Sequence, residues 1–194
     1  MYPSSSNVLV DRLSEVHSAT KDLLWVLGFS LLTALLAQIR IPLPFSPVPL
    51  TGQTFAVLLS GAMLGCRRAF LSQALYLAAG ATGLPVFAGG ASSFAHLLGP
   101  TGGYLWTFPV AAALLGWLVE RGASRSSWKL AGGLVLSDVV ILTFGVLWLH
   151  ALYHLPFSQA WLWGFYPFLV GDILKVVLVG LSLPRALRHL EPRA

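Results

Sequence analysis

The sequence predicts an all-α integral membrane protein with six transmembrane helices, and three observations support that fold class. Of the 194 residues, 56% are hydrophobic and only 10% are charged, whereas an ordinary soluble domain carries about 25% charged residues. The mean hydropathy is +0.77. Apolar runs of roughly bilayer-crossing length recur between charged residues and turn signals. This composition excludes a soluble enzyme, a nucleic-acid-binding domain and a disordered linker.

Six apolar runs are predicted to cross the membrane, since a spanning helix needs about 20 mostly apolar residues. The first ends at Arg40 and a proline-rich stretch, and the second ends before Arg67 and Arg68. The third is the shortest. The predicted bounds are 23–39, 50–65, 69–81, 104–119, 130–149 and 161–183.

Lysine and arginine are distributed unevenly among the segments that flank these runs. Ten of the 12 lie in four regions: before the first run, between the second and third, between the fourth and fifth, and after the sixth. The other three connections contain only Arg40. Because cytoplasmic loops carry excess positive charge, both termini are predicted to be cytoplasmic. The chain then divides into a cytoplasmic segment 1–22, one six-helix substrate-binding domain 23–184 and a cytoplasmic tail 185–194.

The three connections on the outer side, 41–49, 82–103 and 150–160, contain many prolines and glycines. Proline and glycine at this density disfavour regular helix. The residues between them are nevertheless apolar, and irregular backbone near a membrane is tolerated where it packs in protein or lines a cavity. The outer loops are therefore predicted to cap a ligand pocket between the helices, with passive solvated loops as the alternative.

Ionisable residues inside a membrane span are costly and usually functional. Asp172 and Lys175 lie three apart in the sixth run, so they share a helix face. They predict either the polar end of a pocket or an ion pair that only stabilises the bundle. Asp138, in the fifth run, is predicted to be structural. His150 and His154 do not indicate a metal site, because no further ligand stands near them in the sequence.

Three parts of the chain carry recognisable motifs. They are IPLPFSPVPLTGQT at 41–54, GLPVFAGG at 83–90 with GPTGGYL at 99–105, and PFLVGDILK at 167–175. In this order they resemble the first outer loop and second helix, the glycine-rich third loop and the last helix of the BioY family. The members of this family are the biotin-binding S components of energy-coupling-factor (ECF) transporters. The resemblance covers the chain from about residue 30 to 180.

The resemblance implies a subunit without catalytic residues that captures biotin outside the cell and delivers it across the prokaryotic cell (inner) membrane. Its expected partners are biotin, the lipid bilayer, an ECF transmembrane coupling protein and two ATPase subunits, with a homo-oligomer as a further option. No nucleic acid, cofactor or metal is expected. The sequence has no GxxxxGK[ST] phosphate loop, which fits ATP hydrolysis by a partner. The alternatives are an S component for another vitamin and a small intramembrane enzyme acting on lipid-linked substrates.

The motifs also imply which residues bind the substrate. An amide such as that of Gln53 presents both a donor and an acceptor, and Asp172 suits the ureido N–H groups of biotin. Lys175 suits a carbonyl or a carboxylate. Paired glycines at a helix start let backbone N–H groups approach an anion. The predicted binding residues are Gln53, Phe87, Gly90, Thr101, Gly102, Gly103, Tyr104, Asp172 and Lys175.

The first apolar run presents small residues at four-residue separation: Ser30 with Ala34, and Thr33 with Ala37. Small residues at this spacing allow helices to approach closely in lipid. They predict the face that docks the coupling protein, with packing inside the six-helix bundle as the alternative.

Overall fold

The computed structural model of the chain is a helical bundle with one β-hairpin, and it describes residues 8–13, 19–169, 171–173 and 177–179. The helices are α1 (Leu9–Leu13), α2 (Ala19–Ala37), α3 (Gln53–Leu64), α4 (Cys66–Ala81), α5 (Phe94–Leu97), α6 (Gly102–Glu120), α7 (Ser127–Tyr153) and α8 (Phe157–Gly164). The strands are β1 (Arg40–Leu43) and β2 (Ser46–Thr51). Further helical residues follow α8 at 166–169, 171–173 and 177–179.

Within the described residues, four helical stretches are long and apolar enough to cross a membrane: Ala19–Ala37, Gly102–Glu120, Ser127–Tyr153 and Phe157–Val179. Helix α3 is apolar but has only 12 residues, and α4 has 16. A helix needs about 20 apolar residues to span the hydrocarbon core. The chain is therefore a multi-pass helical membrane protein, as the composition predicted, while the count of six spans stays a prediction.

Two outer connections differ from their predicted form. Helix α7 continues to Tyr153, so the connection predicted at 150–160 shrinks to residues 154–156. His154, whose φ of +52° is left-handed, caps the end of this helix. Pro156 then directly precedes α8. The second connection was predicted to lack regular helix. It contains the single turn α5, which lies in a stretch, 91–98, without proline or glycine.

The proline-rich connection folds into an antiparallel pair. Arg40 pairs with Thr51 and Ile41 with Leu50, and the register shifts between Ile41 and Leu43. Pro42 occupies that shift, and proline has no N–H to contribute to a strand ladder. The hairpin thereby places Thr51 directly before α3.

Helix α6 lies at the centre of the bundle, in contact with α3, α4 and α7. Glycines let it approach α3 and the start of α4. A Cβ on Gly61 would lie 2.6 Å from the carbonyl oxygen of Ala112, and one on Gly116 would lie 2.4 Å from the carbonyl carbon of Gly65. Small residues allow this backbone contact, which strengthens packing between helices in lipid.

The two ends of the bundle have different structures. At one, the hairpin end, the β-hairpin and the loop between α4 and α6 cover the helices. At the other, the Arg68 end, Val8 and Val10 of the N-terminal segment are buried in the bundle. The Arg68 guanidinium joins two carboxylates there, with Nη1 2.6 Å from Asp11 Oδ1 and Nε 2.8 Å from Asp22 Oδ1. One side chain of α4 thus fixes both α1 and the start of α2.

We expect Arg68→Gln to lower the free energy of unfolding by about 1–2 kcal/mol. Hydrogen bonds to charged groups contribute about 1.5–3 kcal/mol, and the partial exposure of Asp22 reduces that contribution. Thermal unfolding in detergent, followed by circular dichroism, measures the change. Arg67→Gln removes the same charge from the neighbouring residue and serves as the control. Equal losses for the two variants would contradict the assignment.

Candidate functional site

A cavity lies at the hairpin end between the helices and the covering loops. Its volume is about 30 Å³, much less than the 300–1,000 Å³ typical of small-molecule sites. A ligand of ordinary size therefore requires outward movement of the cavity wall. The cavity is lined by Val48, Pro49, Thr51, Gln53, Thr54, Ala88, His96, Thr101, Tyr104, Leu105, Phe108, Leu142 and Phe168.

Gln53, predicted as a binding residue, stands at the first position of α3 and lines the cavity. Its Oε1 accepts a hydrogen bond of 2.8 Å from the Thr51 hydroxyl, and its Nε2 donates one of 2.6 Å to Tyr76 Oη. The Tyr76 hydroxyl in turn donates to the carbonyl oxygen of Val86, at 3.2 Å. This network fixes the amide of Gln53 and connects α3 to α4 and to the loop beyond it.

Tyr104, another predicted binding residue, forms part of the opposite wall. Its hydroxyl donates a 2.7 Å hydrogen bond to the carbonyl oxygen of Gly164, and its ring lies 5.8 Å from that of Phe168. A Cβ on Gly145 would lie 2.1 Å from the Tyr104 ring. Gly145 therefore provides the space that the tyrosine occupies.

Phe87 is fully buried behind the cavity, and it is not among the lining residues. Its ring stacks on His96 with centroids 5.1 Å apart and meets Tyr76 edge-on at 5.6 Å. A Cβ on Gly80 would lie 2.1 Å from the Phe87 ring. Phe87 thus supports the wall that His96 forms.

His96 lines the cavity on α5, and its Nε2 lies 3.3 Å from the Thr101 hydroxyl. Burial of the imidazole lowers its pKa below the ordinary value, because desolvation disfavours the charged form. Thr101, a predicted binding residue, lines the cavity beside it. The pair offers neutral hydrogen-bonding groups to a ligand.

Hydrogen bonds join the loop over the cavity to Gln38, the residue that follows α2. Its Nε2 donates to the carbonyl oxygen of Phe87, at 3.2 Å, and its Oε1 accepts from the Gly90 amide, at 2.9 Å. Gly90 has a φ of +74°, a conformation that glycine adopts without steric cost. The predicted residue Gly90 therefore shapes and anchors the loop, and it is not among the residues that line the cavity.

Gly102 and Gly103 pack at the start of α6, away from the cavity lining. A Cβ on Gly102 would lie 2.1 Å from the Leu97 carbonyl oxygen, and one on Gly103 would lie 2.2 Å from Trp148 Cβ. The Gly102 amide donates to the carbonyl oxygen of Gly99, at 3.0 Å. Close helix packing explains both glycines, and their predicted contact with a ligand stays a prediction.

Asp172 is buried, with 4% of its surface exposed. It follows the cavity residue Phe168 by four positions in the helical stretch after α8. Residues four apart lie on one helix face, which places Asp172 below Phe168 on the inward side. Lys175, predicted as its partner, lies outside the described residues.

The four residues predicted to dock a coupling protein, Ser30, Thr33, Ala34 and Ala37, are buried. Gln73 on α4 donates a 3.2 Å hydrogen bond from Nε2 to the Thr33 hydroxyl, so this face of α2 is turned toward α4. Their burial favours the alternative that the sequence left open, packing inside the bundle.

Gln38, Tyr76 and His96 contribute to the site but were not among the residues predicted from the sequence. Gln38 directly follows α2 and is 49 residues from Phe87, which it contacts. Tyr76 lies within α4, and His96 is a single histidine in an outer connection. The sequence signal that could have indicated them was a single polar residue near the outer end of an apolar run. Their partners belong to other segments and are therefore not visible in the sequence.

The residues that line the cavity suit a ligand with apolar parts and uncharged hydrogen-bonding groups. Among the described residues that line the cavity, none is an aspartate, glutamate, lysine or arginine. The apolar side chains form its walls, and the polar groups come from Thr51, Gln53, Thr54, His96 and Thr101. Over the part of the chain that the structure covers, no group of three potential metal ligands is present. A few placed polar groups in an apolar cavity are typical of small-molecule sites.

Fold and cavity together define a class: a multi-pass helical membrane protein with a small-molecule cavity beneath loops at one end. The structure superimposes with a TM-score of 0.81 on a crystal structure of the S component for biotin from an ECF-type ABC transporter, covering 89% of this chain and 95% of that one. The two sequences are 24% identical. The likeness shows that the chain has the S-component fold.

The family follows from sequence comparison. Residues 7–192 match the BioY family, and the chain belongs to that family. It is 42% identical over 155 residues to a probable biotin transporter BioY of Pyrococcus horikoshii, covering 80% of this chain and 89% of the relative. It is 39% identical over 162 residues to biotin transporter BioY2 of Lactococcus lactis, covering 80% and 86%. The names of these relatives confirm the predicted class, a transport protein rather than an enzyme.

We expect Gly145→Ala to displace the Tyr104 ring and to lower the free energy of unfolding by about 1–3 kcal/mol, the usual cost of overpacking. Gly132→Ala, on the same helix, is the matched control. No non-neighbouring atom of the described residues lies within 4 Å of the position that its Cβ would take. Thermal unfolding of both variants gives the comparison. A stable Gly145→Ala variant with the Tyr104–Gly164 hydrogen bond intact would contradict this packing.

We also expect His96 to make the protein less stable in acid. Its folded-state pKa is lowered, so the unfolded chain binds the proton more readily, and stability falls as the pH drops below the ordinary histidine value. Among the cavity-lining residues, no carboxylate faces the ring to offset this effect. Melting temperatures at about pH 7.5 and about pH 5.5, compared between wild type and His96→Gln, give the measurement. The loss on acidification should be smaller in the variant, and an equal loss would rule out His96 as its source.

Proposed function

We propose that the chain is a biotin-binding S component that takes up biotin across the prokaryotic cell (inner) membrane. The observation that carries this proposal is the cavity at the hairpin end, whose apolar walls and neutral polar groups lie directly beneath the loops. Membership of the BioY family supports it, since relatives about 40% identical to this chain are named biotin transporters.

The chemistry of biotin matches the lining. Its ureido ring has two N–H donors and one carbonyl acceptor, and its thiophane ring is apolar. An amide has two N–H donors and two acceptor lone pairs. The two hydrogen bonds of Gln53 to Thr51 and Tyr76 therefore leave the amide one donor and one acceptor for a ligand. The thiophane ring would pack against Leu105, Phe108 and the other apolar walls.

Asp172 and Lys175 would complete the polar end of the site. An ionised carboxylate only accepts hydrogen bonds, which suits the ureido N–H groups. The burial of Asp172 one turn beyond Phe168 supports this role. Lys175 would donate to the ureido carbonyl or to the valeryl carboxylate while compensating the charge of Asp172, an assignment that rests on the family resemblance.

Binding would include a movement of the covering loop, because the cavity of about 30 Å³ is too small for a vitamin. The attachment of Phe87 and Gly90 to Gln38 consists of two hydrogen bonds. Their release would move Ala88 and His96 outward, and their restoration would close the loop over bound biotin. Thr101 and Tyr104 would contact the ligand from the start of α6, where Gly102 and Gly103 hold the helix against α7.

The proposal includes a topology with six spans in one domain, 23–184. Segments 1–22 and 185–194 would lie in the cytoplasm. The distribution of basic residues supports this topology. Arg67, Arg68 and Arg121 occur at the Arg68 end, where cytoplasmic charge is expected. Delivery of biotin would then be driven by an ECF transmembrane coupling protein and two ATPase subunits. Docking of that coupling protein through Ser30, Thr33, Ala34 and Ala37 stays a prediction.

Binding of labelled biotin to the purified protein tests the proposal. Saturable binding is expected, and Gln53→Leu and Asp172→Asn should each weaken it by about tenfold to a hundredfold. Loss of a buried hydrogen bond costs about 1–3 kcal/mol. Asp138→Asn, at the buried aspartate of α7, is the matched control and should leave binding unchanged.

Competition identifies the substrate. Desthiobiotin retains the ureido ring and should displace biotin, whereas thiamine and riboflavin should not. Absence of saturable biotin binding, or equal losses in Asp138→Asn and Asp172→Asn, would overturn the proposal. Displacement by thiamine or riboflavin would assign the cavity to another vitamin.

A further inference from the structure

A second cavity of about 340 Å³ opens between α6 and α7 at the Arg68 end, on the opposite side of the protein from the biotin cavity. It is a groove with one basic and one apolar part. Arg121 and Lys129 stand at its basic part, and Leu118, Gly132, Gly133 and Leu136 form its apolar part. None of these residues belongs to the proposed biotin site.

The basic part is arranged to bind an anion. Arg121 and Lys129 are both exposed. The guanidinium carbon of Arg121 lies over Trp117, 3.7 Å from the ring centroid, and this contact positions the group at the basic part of the groove. Arginine held in this way suits the bidentate binding of phosphate. The neighbouring Glu120 carboxylate accepts a 2.7 Å hydrogen bond from the Cys66 amide, so it is directed toward α4.

The apolar part continues from the basic part along α7. Leu136 is 49% exposed and Trp128 is 88% exposed, positions typical of a lipid-facing helix and of the aromatic belt at its boundary. At Gly132, no non-neighbouring atom of the described residues lies within 4 Å of the position that a Cβ would take. The glycine therefore leaves an open channel beside the helix.

We propose that this groove binds an anionic phospholipid. Its phosphate contacts Arg121 and Lys129, and one acyl chain lies along Gly132 and Leu136. Basic pockets between transmembrane helices at the membrane boundary bind phospholipid headgroups. The continuous apolar part favours a lipid over a soluble phosphate, because a soluble phosphate would leave that surface uncovered. This inference does not depend on which vitamin the other cavity binds.

Native mass spectrometry of the full chain in detergent, with phosphatidylglycerol or phosphatidylcholine added, tests the proposal. Phosphatidylglycerol should stay bound at detergent concentrations that remove phosphatidylcholine. Arg121→Gln and Lys129→Gln should each weaken phosphatidylglycerol binding by about fivefold, since a basic residue near an anionic lipid surface contributes about 1 kcal/mol. Gly132→Phe fills the channel while keeping both charges, and it should weaken binding at least as much.

Lys21→Gln is the control, because Lys21 is an exposed lysine at the same end of the bundle, on α2. It should leave lipid binding unchanged, and the melting temperature of each variant establishes that it is folded. Glycerol phosphate, which has the headgroup but no acyl chain, should not displace the lipid. Equal binding of both lipids, full binding by Gly132→Phe, an equal loss in Lys21→Gln, or displacement by glycerol phosphate would each overturn the proposal.

Discussion

The loop between α4 and α6 depends on the hydrogen bonding of its own backbone. Within a membrane protein, irregular backbone persists only where protein satisfies its polar groups. Here the Phe87 amide donates to the carbonyl oxygen of Ala91 and the Ser93 amide donates to that of Gly80. Gln38, which follows α2, binds both the Phe87 carbonyl and the Gly90 amide. These bonds let a glycine-rich segment form a cap. The cavity, the buried position of Phe87 and the placement of His96 all follow from that cap.

Close packing at two glycines positions two aromatic side chains near the cavity. Gly80 receives the ring of Phe87, and Gly145 receives the ring of Tyr104. Two aromatic side chains can thus pack directly against helix backbone at these glycines. In lipid, helices associate through such contacts more than through hydrophobic burial. The same packing that holds the bundle together therefore also shapes the cavity at the hairpin end.

The two ends of the bundle present different chemical groups. At the hairpin end the cavity offers neutral donors and acceptors in apolar surroundings, which suits selective binding of a small molecule. At the Arg68 end guanidinium groups dominate, with Arg68 joining Asp11 and Asp22 and Arg121 lying on Trp117. Fixed charge there agrees with an end that faces anionic lipid headgroups and the cytoplasm.

The sequence by itself determined the membrane class, the mainly helical fold and the family, because composition, run length and local motifs express these properties within one stretch of chain. It also indicated Gln53, Thr101 and Tyr104, which the structure places at the cavity. Only the tertiary structure showed that Phe87, Gly102 and Gly103 pack closely against other residues of the bundle, and that Thr33 faces α4. Both sides of a helix in lipid are apolar, so hydrophobic periodicity does not show which side faces the bundle. Contacts such as Gln38 with Phe87 join residues distant in sequence, and only folding brings them together.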